Sequence, residues 1–119
     1  MGRVALPSLV TRVSCTINED NAALGPSGVM ELDVYGNTRT LRINNVQLTA
    51  NLENGGTIEI ATYPSGNYPK SNIYGSIGRP DVGLAILFVS RAGVIQVINN
   101  SGATIQAGKN LWGTLTWVV

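Results

Sequence analysis

The chain has 119 residues, a formal net charge of +1, 44% hydrophobic and 13% charged residues, and no histidine. That length suffices for one core, but the charged fraction is about half the usual quarter, so amides, hydroxyls and exposed apolar groups must cover the outside. The eight Lys and Arg are scattered, which leaves no basic stripe for nucleic acid, and no apolar run approaches the roughly 20 residues of a membrane span.

Residues 1–8 read as an N-terminal lead-in to one β-domain spanning 1–119. Pro7 interrupts the mildly apolar stretch Val4 to Val10 and no cleavage site follows, so no signal peptide is expected. Met1-Gly2 has the look of an added start, and the chain is expected to come from a longer protein. Period two then takes over. In the run Leu9 to Ile17, Leu9, Thr11, Val13, Cys15 and Ile17 share one face of a strand. A loop is expected over Asn18 to Ser27, where Gly25-Pro26 is a strong turn signal. Val29 to Tyr35 alternates again, and Gly36-Asn37 tolerates the positive φ that a two-residue hairpin turn requires. The return strand covers Thr40 to Ile43 and resumes after Asn44-Asn45 as Val46 to Leu52. Asn54-Gly55-Gly56 is a second turn, leading into Thr57 to Ala61.

Two prolines keep residues 63–70 out of a central strand. Asn72 to Ile77 reads as a strand, Gly78 to Asp81 as a loop, and the apolar Leu84 to Ser90 as a strand buried on both faces. Ala92-Gly93 turns it back into Val94 to Ile98, and Asn99 to Gly102 is a further turn. Leu111 to Val119 alternates, placing Trp112 and Trp117 on opposite faces, with at least one in the core. No window carries the spacing of an amphipathic helix. The expected fold is all-β: a compact antiparallel barrel or sandwich of about six to eight strands, Greek-key-like. A weakly charged surface and an apolar terminal strand both point to self-association.

Catalytic chemistry is hard to assemble from this residue set. General acid–base work usually draws on histidine, and there is none. The lone Cys15 lacks a basic partner and reads as a small buried hydrophobe. Glu31 and Asp33 share a strand face and would make an acid/base pair or calcium corner, but a solvated face is the better reading. Glu19-Asp20-Asn21 reads as turn chemistry, and Asn99-Asn100-Ser101, formally a glycosylation acceptor, as a turn. No enzyme, metal or cofactor is expected. The remaining inventory suits an uncharged polar ligand such as a saccharide, whose hydroxyls bind amides and guanidinium groups and whose ring face lies on an aromatic. The candidates are Asn67, Tyr68, Arg79, Asp81, Arg91 and Trp112, beside Tyr63, Tyr74 and Trp117.

Three segments carry a family resemblance: Ile60 to Pro69 with its Gly66-Asn67-Tyr68-Pro69 close, the hairpin Ala85 to Val97, and the terminal strand Trp112 to Val119. Over roughly residues 56–119 they resemble the C-terminal head domains of receptor-binding proteins from tailed phages of lactococci and related Gram-positive bacteria. The resemblance implies a six- to seven-stranded barrel in a homotrimer at the virion's tail tip or baseplate, binding host cell-wall polysaccharide near the junctions between chains. Several relatives carry a His and an Asp on the strand matching Ala85 to Val89. Here Ile86 and Phe88 stand in those places, so a sugar site is expected to use Arg79 and Asp81, or Asn67 and Tyr68. The alternative is a structural baseplate, tail or capsid-decoration module that binds other virion proteins, and a glycan hydrolase using Glu31/Asp33 or Asp81 is a third reading.

Overall fold

A computed structural model describes residues 10–79 and 83–119. The described residues form nine strands and no helix: β1 (Thr11–Ser14), β2 (Thr16–Ile17), β3 (Ala22–Tyr35), β4 (Thr38–Leu48), β5 (Thr57–Thr62), β6 (Ile73–Arg79), β7 (Gly83–Val89), β8 (Val94–Ile98) and β9 (Leu111–Val118). They are ordered β1-β3-β4-β9-β6-β7-β8-β5-β2, and every pairing is antiparallel. The first and last strands of that order are separated in the chain by Cys15 alone, so the sheet curls into a nearly closed barrel.

That closure explains why nine strands are found. The run read as one strand over Leu9 to Ile17 breaks at Cys15 (Leu9 lies outside the described residues). β1 pairs with β3 through Thr11↔Val34 to Ser14↔Glu31, whereas β2 pairs with β5 through Thr16↔Thr62 and Ile17↔Ala61. The Cys15 amide still donates to Met30 O at 3.1 Å, and the Asn18 amide already donates to Ile60 O at 2.9 Å. One segment thus closes two edges, which an open sheet would leave exposed for pairing with other chains.

Other boundaries also move. The loop expected over Asn18 to Ser27 ends at Asn21, because β3 runs straight through Gly25-Pro26. A bulge makes this possible: the register shifts between Leu24 and Val29, Ser27 takes φ 57° and, on the facing strand, Asn45 takes φ 51°. Pro26 needs no ladder donor in a bulge, and its carbonyl accepts from Asn45 Nδ2 at 3.0 Å. A Cβ at Gly28 would come within 2.8 Å of Asn45 O, so only glycine permits this approach. Asn44-Asn45 is therefore a bulge inside β4, not a gap. β4 ends at Leu48, and Leu52 makes an isolated bridge with Ile105. Gly78 and Arg79, expected in a loop, extend β6 and pair with Leu84 and Gly83.

The inward faces supply the core, including Leu32, Leu41, Val46, Ile60, Leu87, Val89, Ile95, Val97 and Leu111, with Trp117 at 4% exposure. β7, expected to be buried on both faces, is buried only through Ala85, Leu87 and Val89; Ile86 and Phe88 are half-buried and Leu84 is 65% exposed. A barrel of one layer has an outside, and this strand's apolar outer row faces it.

Asn99 holds two loops together from a fully buried position. Its Nδ2 donates to Leu52 O and Ala103 O at 2.8 Å each, and its Oδ1 accepts from Ser101 N and Oγ at 3.1 and 2.7 Å. The formal glycosylation acceptor is thus a structural amide. Asn99→Ala orphans several of these groups at once and is expected to lower stability by about 2–4 kcal/mol, read as a shifted urea midpoint.

Burial, with Glu31 adding to it, pushes the Cys15 thiol up to about 12. The folded state keeps a proton that the unfolded chain releases at the usual value near 8.5. The stability this contributes is complete below that pH and is lost as the pH rises toward 12. Native protein at pH 8 is therefore expected to react with a disulfide reagent such as DTNB at least about 100-fold more slowly than protein unfolded in urea. Cys15→Ala should flatten the fall in stability above pH 9, measured by urea unfolding at stepped pH.

Candidate functional site

Five of the six residues singled out from sequence have a described backbone, and these fall at two ends of the barrel. At one end the segment after β5 folds in rather than out. Asn67 is 9% exposed and its carboxamide is engaged: Oδ1 accepts from Arg39 Nε at 2.7 Å and Nδ2 donates to Pro64 O at 3.0 Å. Its carbonyl accepts from Trp117 Nε1 at 2.8 Å. Arg39, itself 8% exposed, also donates to Gly36 O at 2.7 Å and Thr38 O at 3.3 Å. This buried cation has no carboxylate within ion-pair distance among the described residues; carbonyl and amide oxygens surround it instead.

Aromatic rings complete that end. Tyr63 packs edge-on to Tyr68 at 5.5 Å between centroids and lies 5.7 Å from Trp117. A Cβ at Gly93 would strike the Tyr68 ring, so the ring seals against the β7–β8 turn. Burial, with the neighbouring Tyr68 and Cys15, raises the Tyr63 hydroxyl's pKa well above the tyrosine range, and it donates to Ser90 O at 3.2 Å. Asn67 is therefore committed to holding the fold, and Tyr68 largely so. Arg91 stands exposed in the same turn, with its backbone amide donating to Asn72 Oδ1 at 2.9 Å.

The other end lies across the length of β7, about 20 Å for seven residues. Asp81 lies outside the described residues, as does the Arg79 side chain; the Arg79 backbone pairs with Gly83 where the β6–β7 hairpin turns. Trp112 is close by, since β9 meets β6 at Gly78↔Trp112. Its indole is on the outer face of β9 at 44% exposure, opposite in direction to Trp117. Here β4 and β9 run side by side with Arg42↔Thr114 and Ile43↔Gly113 in register. The side chains of Trp112, Thr114, Arg42 and Asn44 rim a shallow groove of about 340 Å³ whose floor includes Ile43 and Gly113.

Arg42 also decides the Glu31/Asp33 question. Its Nη2 contacts Glu31 Oε1 and its Nε contacts Asp33 Oδ2, each at 2.9 Å, with Arg12 at 3.7 Å from Asp33 Oδ1. Two carboxylates held by two guanidinium groups are neither a poised acid/base pair nor a free cation corner. Arg42, Asn44 and Thr114 were not among the sequence candidates. Alternation puts each of them on an outer face, but only the pairing of β4 with β9, distant in sequence, brings them to Trp112.

The two ends differ in what substitution does. Asn67→Ala strands the Arg39 guanidinium and is expected to cost about 2–3 kcal/mol in urea unfolding. Trp112→Ala, on the outer face, is expected to stay within about 0.5 kcal/mol of the parent.

No family model matches the sequence, and no curated protein matches it. Among solved structures, the head domain of the lactococcal phage bIL170, described in connection with the receptor-binding domains of these phages, superposes with a TM-score of 0.72. The match covers 92% of this chain and 98% of that one at 16% sequence identity. The chain therefore has the fold of a lactococcal-phage head domain from end to end of that relative.

Proposed function

We propose that this chain is a non-catalytic receptor-binding head of a tailed phage, working on the virion as a homotrimer that recognises a host cell-wall saccharide. The observation that carries the reading is the match over 98% of the phage bIL170 head domain, a likeness of the whole barrel rather than of a common substructure. The residue inventory agrees with it. The outside is covered mostly by amides, hydroxyls and apolar groups, and the one carboxylate pair on a shared strand face is neutralised by arginines. Of the six candidates, Arg91 and Trp112 offer side chains to a ligand, while Asn67 is spent inside.

Support for self-association comes from the outer face of β6, β7 and β8. Leu84 and Tyr74 are 65% and 61% exposed, and Ile86, Phe88 and Ile98 lie between them half-buried. Ile86 pairs with Ile98 across the strands, and the Tyr74 and Phe88 rings are 4.9 Å apart. Among the described side chains, only Ser76 and Gln96 interrupt this row with polar groups, and no charged one does. An apolar patch of this kind usually finds a partner. The places where relatives hold their His and Asp, Ile86 and Phe88, belong to it, which also favours the second reading: a structural module seated against other virion proteins.

Light scattering should give three times the chain mass for the parent and one for Leu84→Asp, whose charge would be buried in the contact. Fluorescently labelled protein should bind host cells, and purified wall polysaccharide should compete. Capture of virion proteins with no binding to any host cell would select the structural reading instead.

A further inference from the structure

The groove over β4 and β9 differs from both the apolar face and the sealed aromatic end. β4 lies between β3 and β9, and β9 between β4 and β6, which it meets at Gly78↔Trp112, so neither strand is a free sheet edge. No free edge is offered here for a peptide to join as a strand, so the side chains are the main means of holding a ligand. Those side chains are one flat aromatic face (Trp112), one planar amide (Asn44), one guanidinium (Arg42) and one hydroxyl (Thr114). The volume of about 340 Å³ falls at the lower end of the roughly 300–1,000 Å³ range of small-ligand sites.

The charge at this place is cancelled. Arg42 is held by Glu31 and Asp33, and Arg12 stands beside Asp33, so two cations meet two carboxylates. The two ion pairs fix the Arg42 fork, while its Nη1 makes no hydrogen bond among the described residues, nor does the exposed Asn44 amide. Donors whose direction is already set lose little freedom on binding. An anionic polymer would gain little from a guanidinium already matched by two carboxylates. A neutral ring with hydroxyls on its rim and C–H groups on its face matches the set.

We infer that this groove is a saccharide site built by a single chain, in which Trp112 takes the apolar face of an uncharged sugar ring and Asn44, Arg42 and Thr114 take its hydroxyls. The inference rests on the receptor-binding reading above and adds the place, the charge class and independence from neighbouring copies. Trp112 borders the apolar face at Leu84, since both pair with Gly78, but Arg42, Asn44 and Thr114 lie beyond it on β4 and β9, so dissociating the oligomer leaves the set in place.

The test starts from a glycan array carrying neutral and phosphorylated oligosaccharides of Gram-positive cell walls, with calorimetric titration of the best binder. Trp112→Ala is expected to weaken binding at least about tenfold, the size of an interface anchor, and Asn44→Ala about three- to tenfold. Melting temperatures should stay close to the parent's, and Trp112→Phe should restore part of the affinity. Affinity should change less than about twofold between 50 and 500 mM salt, since no net charge is matched. A monomer made by Ile98→Asp, on β8 and away from β9, should bind with the parent's affinity per chain. Full binding by Trp112→Ala and Asn44→Ala, loss of binding in the monomer, or a preference for phosphorylated glycans with a steep salt dependence would each overturn the inference while leaving the receptor reading standing. A parent protein that binds neither glycans nor host cells would overturn both.

Discussion

A barrel of nine short strands has two edges to dispose of, and here both are disposed of by one stretch of chain. Up to Ser14 it pairs with β3; from Thr16 it pairs with β5. Cys15 sits at the crossing, partly buried and packed against the core. Asparagines lock the far side of the crossing: Asn18 Nδ2 donates to Glu59 Oε2 at 3.2 Å and Asn21 Nδ2 to Glu59 O at 2.9 Å. Without that switch, β3 and β5 would each present a bare edge, and the inward rows of two half-sheets would not face one another. A small, uncharged side chain suits the crossing, where the strand leaves one sheet and must pass close to Met30 before joining the other.

Closure separates the molecule's polar side chains into two kinds of work. Those that turn inward at the barrel ends, Arg39, Asn67 and Asn99, spend their hydrogen bonds on loop backbones and fix how the connections lie. Those on the outside of interior strands keep capacity in reserve, because the ladder beneath them already satisfies the backbone. Arg42 is intermediate: it is tethered by Glu31 and Asp33 on one side and open on the other. The same residue type thus serves as a strut at position 39 and as part of a surface at position 42. What distinguishes the two is the parity of their place on β4.

Parity was legible in the sequence; partnership was not. Strict alternation located most strands, separated Trp112 from Trp117, and placed Glu31 and Asp33 on one face. Turn chemistry located Gly36-Asn37 and Gly93. The errors share one cause. Gly25-Pro26 and Asn44-Asn45 look like breaks when each is read alone, and only together, facing each other across two strands, do they make a bulge that keeps both strands whole. The apolar outer row of β7 reads as two-sided burial because composition does not say whether a second layer exists. Asn67 reads as a ligand residue because an amide in a Pro-Gly loop is usually exposed, and nothing local announces that Arg39 reaches it. The groove beside Trp112 depends on the register Ile43↔Gly113, which no single-sequence pattern encodes.

The position of β9 bears on how the molecule is made. It is the ninth strand in chain order yet lies at the centre of the sheet, with β4 on one side and β6 on the other. On the ribosome, β3 can pair with β4 and β6 with β7 as each hairpin emerges, and the β1–β2 segment can link the two groups on one side, but the gap between β4 and β6 stays open until the ninth strand is inserted. Its contacts with β4 span some of the largest sequence separations in the domain, which places it among the slow steps of folding. Until β9 pairs, Trp117 and the flanks of β4 and β6 that the strand covers stay exposed, and late insertion of a central strand is a stage at which a chain is prone to mispairing.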